Sequence, residues 1–137
     1  MIDYQEYPVK AAEMATKARR SLGIGFIGLA HYLAKLGYNY DSQEAWDAVH
    51  SLSESVQYYL LKASNQIAKE KGWCENFGRT KYSDGILPID TYKKDVDEIS
   101  EPKYQHDWES LRASILEHGL RHSTLSAQMP SESSSVV

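Results

Sequence analysis

From Ser42 to Lys71 apolar side chains recur at Ala45, Val49, Leu52, Val56, Tyr59, Ala63 and Ile67, while Asp47, Glu54, Lys62, Asn65 and Lys69 fall on the other side. Steps of three and four predict one long amphipathic helix with that stripe toward a core. Asp41, with Glu44 three residues later, has the spacing of a capping box at its start, and Gly72 stops it. A second helix is predicted from Val9 to Arg20, where Ala11, Ala12, Ala15 and Ala18 are small enough for close packing. A third runs from Gly28 to Lys35 and closes at Gly37. Asp107 caps a fourth, Trp108 to His118, with Trp108, Leu111, Ile115 and Leu116 toward the core and Gly119 at its end.

Two stretches follow a different rhythm. Leu22 to Phe26 reads as a short buried strand entering the Gly28 helix. Leu120, Ser123, Leu125 and Ala127 form an alternating run that ends at Pro130. Residues 1–8 read as an extended entry. Residues 73–90 carry little periodicity, although Trp73, Cys74 and Phe77 are placed to cover the end of the long helix. Asp90 caps a brief charged segment from Thr91 to Ile99, and Pro102 marks a loop over residues 100–106. Strands alternating with helices indicate an α/β layer that is mostly helical, with parallel strands. Two strands do not make a stable parallel sheet alone, so other strands are expected from elsewhere.

Composition narrows the class. The 137 residues, 42% apolar and 25% charged, suit one soluble domain or part of one. A formal net charge of −4 argues against sequence-independent binding to nucleic acid. No window is long and apolar enough for a membrane span, and the acidic start MIDYQEYPVK has no apolar core of a secretory signal. A single cysteine, Cys74, excludes an internal disulfide framework and points to a reducing, cytoplasmic setting.

Several features invite a chemical reading. Gly23, Gly25 and Gly28 spell Gly-x-Gly-x-x-Gly, but a dinucleotide site needs a strand before the first glycine, and the preceding segment here is helical. Glycines in a buried strand instead let another backbone approach. Nothing near Cys74 would lower its pKa, which favours a buried thiol over a nucleophile. Tyr58 and Tyr59 read as helix packing, with Tyr59 on the apolar stripe and Tyr58 at its edge. His106, His118 and His122 have no metal-ligand spacing. After Pro130 comes the hydroxyl-rich run Ser131, Glu132, Ser133, Ser134 and Ser135. A strand, a sharp turn and a helix start would aim unpaired N–H groups at an anion, while a disordered tail is the alternative.

The spacing Trp108-x-x-Leu111, then Gly119-Leu120-Arg121-His122, then Ser126-Ala127-x-x-Pro130, resembles the signature of the large (alpha) subunit of class I ribonucleoside-diphosphate reductase. Arg20 to Gly25, Tyr58 to Asn65, Ala68 to Gly72 and Gly85 to Lys94 are similar to the same family. Arg121-His122 replaces the usual Arg-Asn, a change the signature allows. The resemblance implies a fragment of a ten-stranded α/β barrel, contributing two barrel strands with their helices, over residues 1–137. It implies reduction of ribonucleoside diphosphates to deoxyribonucleoside diphosphates, with Ser131, Glu132, Ser133 and Ser134 binding the substrate diphosphate.

The same resemblance implies that no catalytic residue lies in this chain. The radical and reductant cysteines, the radical-transfer tyrosine pair and the effector sites belong to other segments, so neither Cys74 nor Tyr58-Tyr59 matches a catalytic position. The partners implied are the remaining large-subunit segments and the small (beta) radical subunit. That small subunit carries the metal-radical cofactor, and ATP or dNTP effectors act on the whole enzyme. No membrane and no nucleic acid is expected as a partner. The alternative is a non-catalytic helical interaction module, or an inactive remnant of that enzyme.

Overall fold

The structure, a computed structural model, describes residues 1–99, 101 and 103–130. Among the described residues five α-helices carry the fold: α1 Lys10–Arg19, α2 Leu29–Leu36, α3 Gln43–Lys71, α4 Pro88–Thr91 and α5 Trp108–His118. Short 3-10 turns at Phe77–Arg79, Lys81–Asp84 and Lys94–Glu98 join α3 to α5 around α4. The entry is not extended, since Tyr4 and Gln5 donate to the Met1 carbonyl and the Tyr7 hydroxyl returns to Ile2.

Local chemistry sets the helix ends. Ser42, not Asp41, caps α3, its hydroxyl accepting from the Ala45 amide at 3.2 Å. Asp107 caps α5 through the Ser110 amide at 3.0 Å. Asp90 does not open Thr91–Ile99; its carboxylate accepts from the Leu87 amide at 2.7 Å and so starts α4. Arg20, left-handed at φ 50, turns the chain out of α1 while its guanidinium forks onto the Asp3 carboxylate.

At 29 residues α3 is about 43 Å long, and α5 packs across it. The core joins Tyr58 and Leu61 of α3 to Trp108, Leu111 and Ile115 of α5, with Cys74, Phe77, Leu87, Leu120 and Leu125 around them. Leu116 is 51% exposed, on the outer face of α5.

The buried face of α3 is not the stripe of aliphatics. Below Ala45 it runs through Glu54, Tyr58, Leu61, Asn65 and Ala68, with Ser64 beside Asn65. Tyr58 is 9% exposed and Tyr59 56% exposed, the reverse of the sequence expectation. Glu54 and Asn65, expected on the solvent face, are buried. The reason is that α5 and the loop before it present hydrogen-bonding groups as well as apolar ones. A polar side chain that satisfies them is worth more at that face than another aliphatic.

The two expected strands lie next to each other and run parallel, joined by one bridge between Ile24 and Ser126. Its rungs are Leu22 N–H to Thr124 O and Ile24 N–H to Leu125 O, both 2.9 Å, and Ala127 N–H to Ile24 O at 3.0 Å. No longer strand forms among the described residues. Among the described residues the fold is therefore mostly helical, with one two-segment parallel contact and no further strand beside it.

Candidate functional site

The site predicted from sequence is the run from Gly119 through Pro130 and the turn beyond it. Ser131, Glu132, Ser133 and Ser134 lie outside the described residues. What the structure describes is the approach to them and how it is held.

Two polar side chains of α3 hold that approach, and a third holds the start of α5. Asn65 Nδ2 donates to the carbonyls of Ser114 at 3.0 Å and Gly119 at 2.8 Å, and Asn65 Oδ1 accepts from Ser114 Oγ at 2.7 Å. The amide side chain thus ties the last turn of α5 to its exit. Next to it on α3, Ser64 accepts the His122 amide at 3.2 Å and sits 2.9 Å from His122 Nδ1, while the Ser64 carbonyl takes the Arg121 amide. Further along α3, the Glu54 carboxylate accepts from the amides of Gln105 and His106 and from the Trp108 indole N–H at 3.0 Å. Each buried donor or acceptor named here finds a partner, as burial demands.

Past His122 the run lies against the Gly23–Gly25 segment. Gly25 is required by close approach: a Cβ there would stand 2.2 Å from the Ala127 carbonyl oxygen. At Gly23 a Cβ would meet only the Ala127 Cβ, at an ordinary 3.5 Å. The expected backbone approach is thus found at Gly25 and not at Gly23. Gly119 itself has φ 70, and a Cβ would sit 2.8 Å from the Trp73 side chain.

The remaining candidates are structural in character. Cys74 is buried, and burial pushes its thiol pKa up, which leaves it protonated and poorly nucleophilic at neutral pH. Tyr58 stacks on the His106 ring at 4.5 Å and meets Trp108 edge-on at 5.3 Å. His122 is drawn below its ordinary pKa, first by burial and then by the charges of Arg20 and Arg121. Among the described residues no three His, Cys, Asp or Glu side chains converge as a metal site. His106 and His122 serve as hydrogen-bonding and stacking groups, and His118 lies beside Glu117 at 3.5 Å.

Sequence reasoning missed Glu54, Ser64, Asn65 and the Asp90–Arg112 pair. A usable signal existed, since Glu54, Tyr58, Leu61, Asn65 and Ala68 follow steps of four and three and so share a face. Arg112 forks onto Asp90 at 2.6 and 3.0 Å and also reaches the Gly85 carbonyl, which fastens α4 to α5. An apolar cavity of about 830 Å³ opens between α3 and residues 88–99, with Trp46, Val49, Ile89, Tyr92 and Val96 in its walls.

All of residues 1–137 match the model of the ribonucleotide reductase barrel domain. The ribonucleoside-diphosphate reductase subunit alpha of Haemophilus influenzae is 57% identical over 137 residues, all of this chain and 18% of that protein. Ribonucleoside-diphosphate reductase 1 subunit alpha of Escherichia coli is 56% identical over 136 residues, and the subunit alpha of Enterobacteria phage T4 51% identical over 138. In each case the chain spans 18% of the relative's length.

Proposed function

We propose, from the premise that this chain belongs to the ribonucleotide reductase barrel-domain family, that it is part of the large subunit of a ribonucleoside-diphosphate reductase. In this reading residues 1–137 are one partial catalytic barrel domain. Leu22–Phe26 and Leu120–Ala127 are two of its parallel strands. The turn Ser131–Ser134 clamps the substrate diphosphate with backbone N–H groups and hydroxyls. The enzyme so completed reduces ribonucleoside diphosphates to deoxyribonucleoside diphosphates for DNA synthesis in the cytoplasm.

The clamp acts by positioning. Binding energy from a diphosphate that does not react orients the ribose at the distant reacting centre. The radical and reductant cysteines come from the remaining large-subunit segments. The radical comes from a small subunit with its own metal cofactor, and ATP or dNTP effectors act elsewhere on the large subunit.

The observation that carries this reading is the parallel Ile24–Ser126 bridge within a chain that matches the barrel family from end to end. Two parallel segments with no further strand beside them among the described residues suit a barrel whose other strands come from further polypeptide. The open apolar cavity beside α3 suits coverage by the same polypeptide.

Reconstitution tests it. The chain is mixed with the remaining large-subunit segments and the small subunit, and deoxyribonucleoside diphosphate is measured. Product should form only when this chain is present, and Ser131→Ala with Ser134→Ala should raise KM for the diphosphate. No product from the full mixture, beside an active unsplit enzyme in the same assay, sinks the proposal.

A further inference from the structure

A second cavity lies at the opposite end of the paired segments from Pro130. There the Ser123 amide donates to the Arg19 carbonyl at 2.9 Å, just before the two segments come together. Beside that contact opens a space of about 410 Å³. Arg19, Arg79 and Lys81 line it, and no carboxylate does among the described residues. None of these three side chains has a hydrogen bond or ion pair among the described residues, although the whole chain carries a net charge of −4. Arg20, Lys17 and Arg112, in contrast, are each paired with an acid.

The hydroxyls divide in the same way. Thr80 spends its hydrogen on the Phe77 carbonyl at 2.7 Å, and Ser123 faces Ser21 at 3.2 Å. Thr91 and Thr124 also line the space, and neither hydroxyl has a partner among the described residues. The other wall is apolar, made by Tyr82, Ile86 and Pro88. Three like charges around one concave space repel one another and focus a positive potential into it. Guanidinium and ammonium donors together with hydroxyls match the oxygens of a phosphate, and a flat apolar wall matches an organic body attached to it.

We propose that this cavity binds a small phosphate ester, its phosphate on Arg19, Arg79 and Lys81 and its organic part against Tyr82 and Ile86. None of its lining residues belongs to residues 131–134, and the proposal does not depend on the function proposed above.

The test titrates the full 137-residue chain with phenyl phosphate and, separately, inorganic phosphate at low ionic strength. Amide shifts by NMR and heats by calorimetry are the readouts. Phenyl phosphate should saturate, bind more tightly than inorganic phosphate and move the amides of Thr80 to Tyr82, Ser123 and Thr124. Arg79→Gln combined with Lys81→Gln should weaken it at least about tenfold, as should Arg19→Gln, with helix content unchanged by circular dichroism. Raising the salt to about 0.5 M should also weaken binding. Absence of saturation, shifts elsewhere on the chain, or equal affinity in the variants overturns the proposal. So does an acidic peptide that moves these amides when phenyl phosphate does not.

Discussion

The side-chain amide of Asn65 donates to the Gly119 carbonyl at 2.8 Å across 54 residues of sequence. With its bonds to Ser114, that one side chain fixes where the chain leaves α5 and turns toward Pro130. Asn65→Leu fills similar space but strands two carbonyls and a hydroxyl, a loss of about 2–4 kcal/mol. Asn65→Asp should be no better, since it sets carboxylate oxygen against two carbonyl oxygens. Urea unfolding checks both, and an unchanged midpoint in either variant refutes this role for Asn65.

Glu54 plays the matching part at the other end of α5. Glu54→Ala leaves the Gln105 and His106 amides and the Trp108 indole without their acceptor. The expected cost is about 3 kcal/mol. The Trp108 indole hydrogen should exchange slowly with solvent in the parent and rapidly in the variant. Equal exchange in the two proteins would show that the carboxylate does not hold the ring.

Two neighbouring glycines should respond differently to the same methyl group. Gly23→Ala meets only the Ala127 Cβ at 3.5 Å and should change stability by less than about 0.5 kcal/mol. Gly25→Ala drives a carbon into the Ala127 carbonyl and should cost about 2–3 kcal/mol while breaking the Ile24–Ser126 bridge. Loss of the Ala127 amide's protection against hydrogen exchange, in Gly25→Ala alone, is the expected pattern. Equal destabilisation by both would refute the close-approach explanation.

Acid should loosen the approach to the turn through His122. Its folded-state pKa lies below the ordinary value because of burial, so the folded protein holds the neutral ring. Ser64 Oγ accepts the His122 amide and can then give its hydrogen to Nδ1, a bond that needs Nδ1 bare. For a depressed histidine the unfolded chain binds the proton more readily. The contribution is therefore complete above the unfolded value near 6.5 and declines as pH falls toward the folded value. Stability from pH 7 to 5 should fall less steeply in His122→Asn than in the parent, and parallel curves would dismiss the assignment.

The helices were legible because their signals are local. Asp107 before Trp108, Gly37 and Gly72 at helix ends, and the periodicity of residues 43–71 each act within a few residues. The segments Leu22–Phe26 and Leu120–Ala127 were legible as extended, and they do meet in parallel. The face of α3 was misread, because counting aliphatics assumes that a core is purely apolar. Leu116 on α5 was misread for a different reason, since periodicity says which side chains share a side and not which side a neighbour covers.

By itself, then, the sequence determined the four longer helices and most of their ends, though not α4 or the α3 cap, together with the two extended segments and the family to which the chain belongs. These follow from backbone preferences and from motifs whose spacing is written along the chain. Only the tertiary structure decided that Glu54 and Asn65 point inward, that Tyr58 rather than Tyr59 is buried, and that Gly25 must lack a side chain. The physical reason is that a polar group is buried only where distant partners satisfy it. The partners of Glu54 and Asn65 lie 49 to 54 residues away along the chain, beyond the reach of any local pattern.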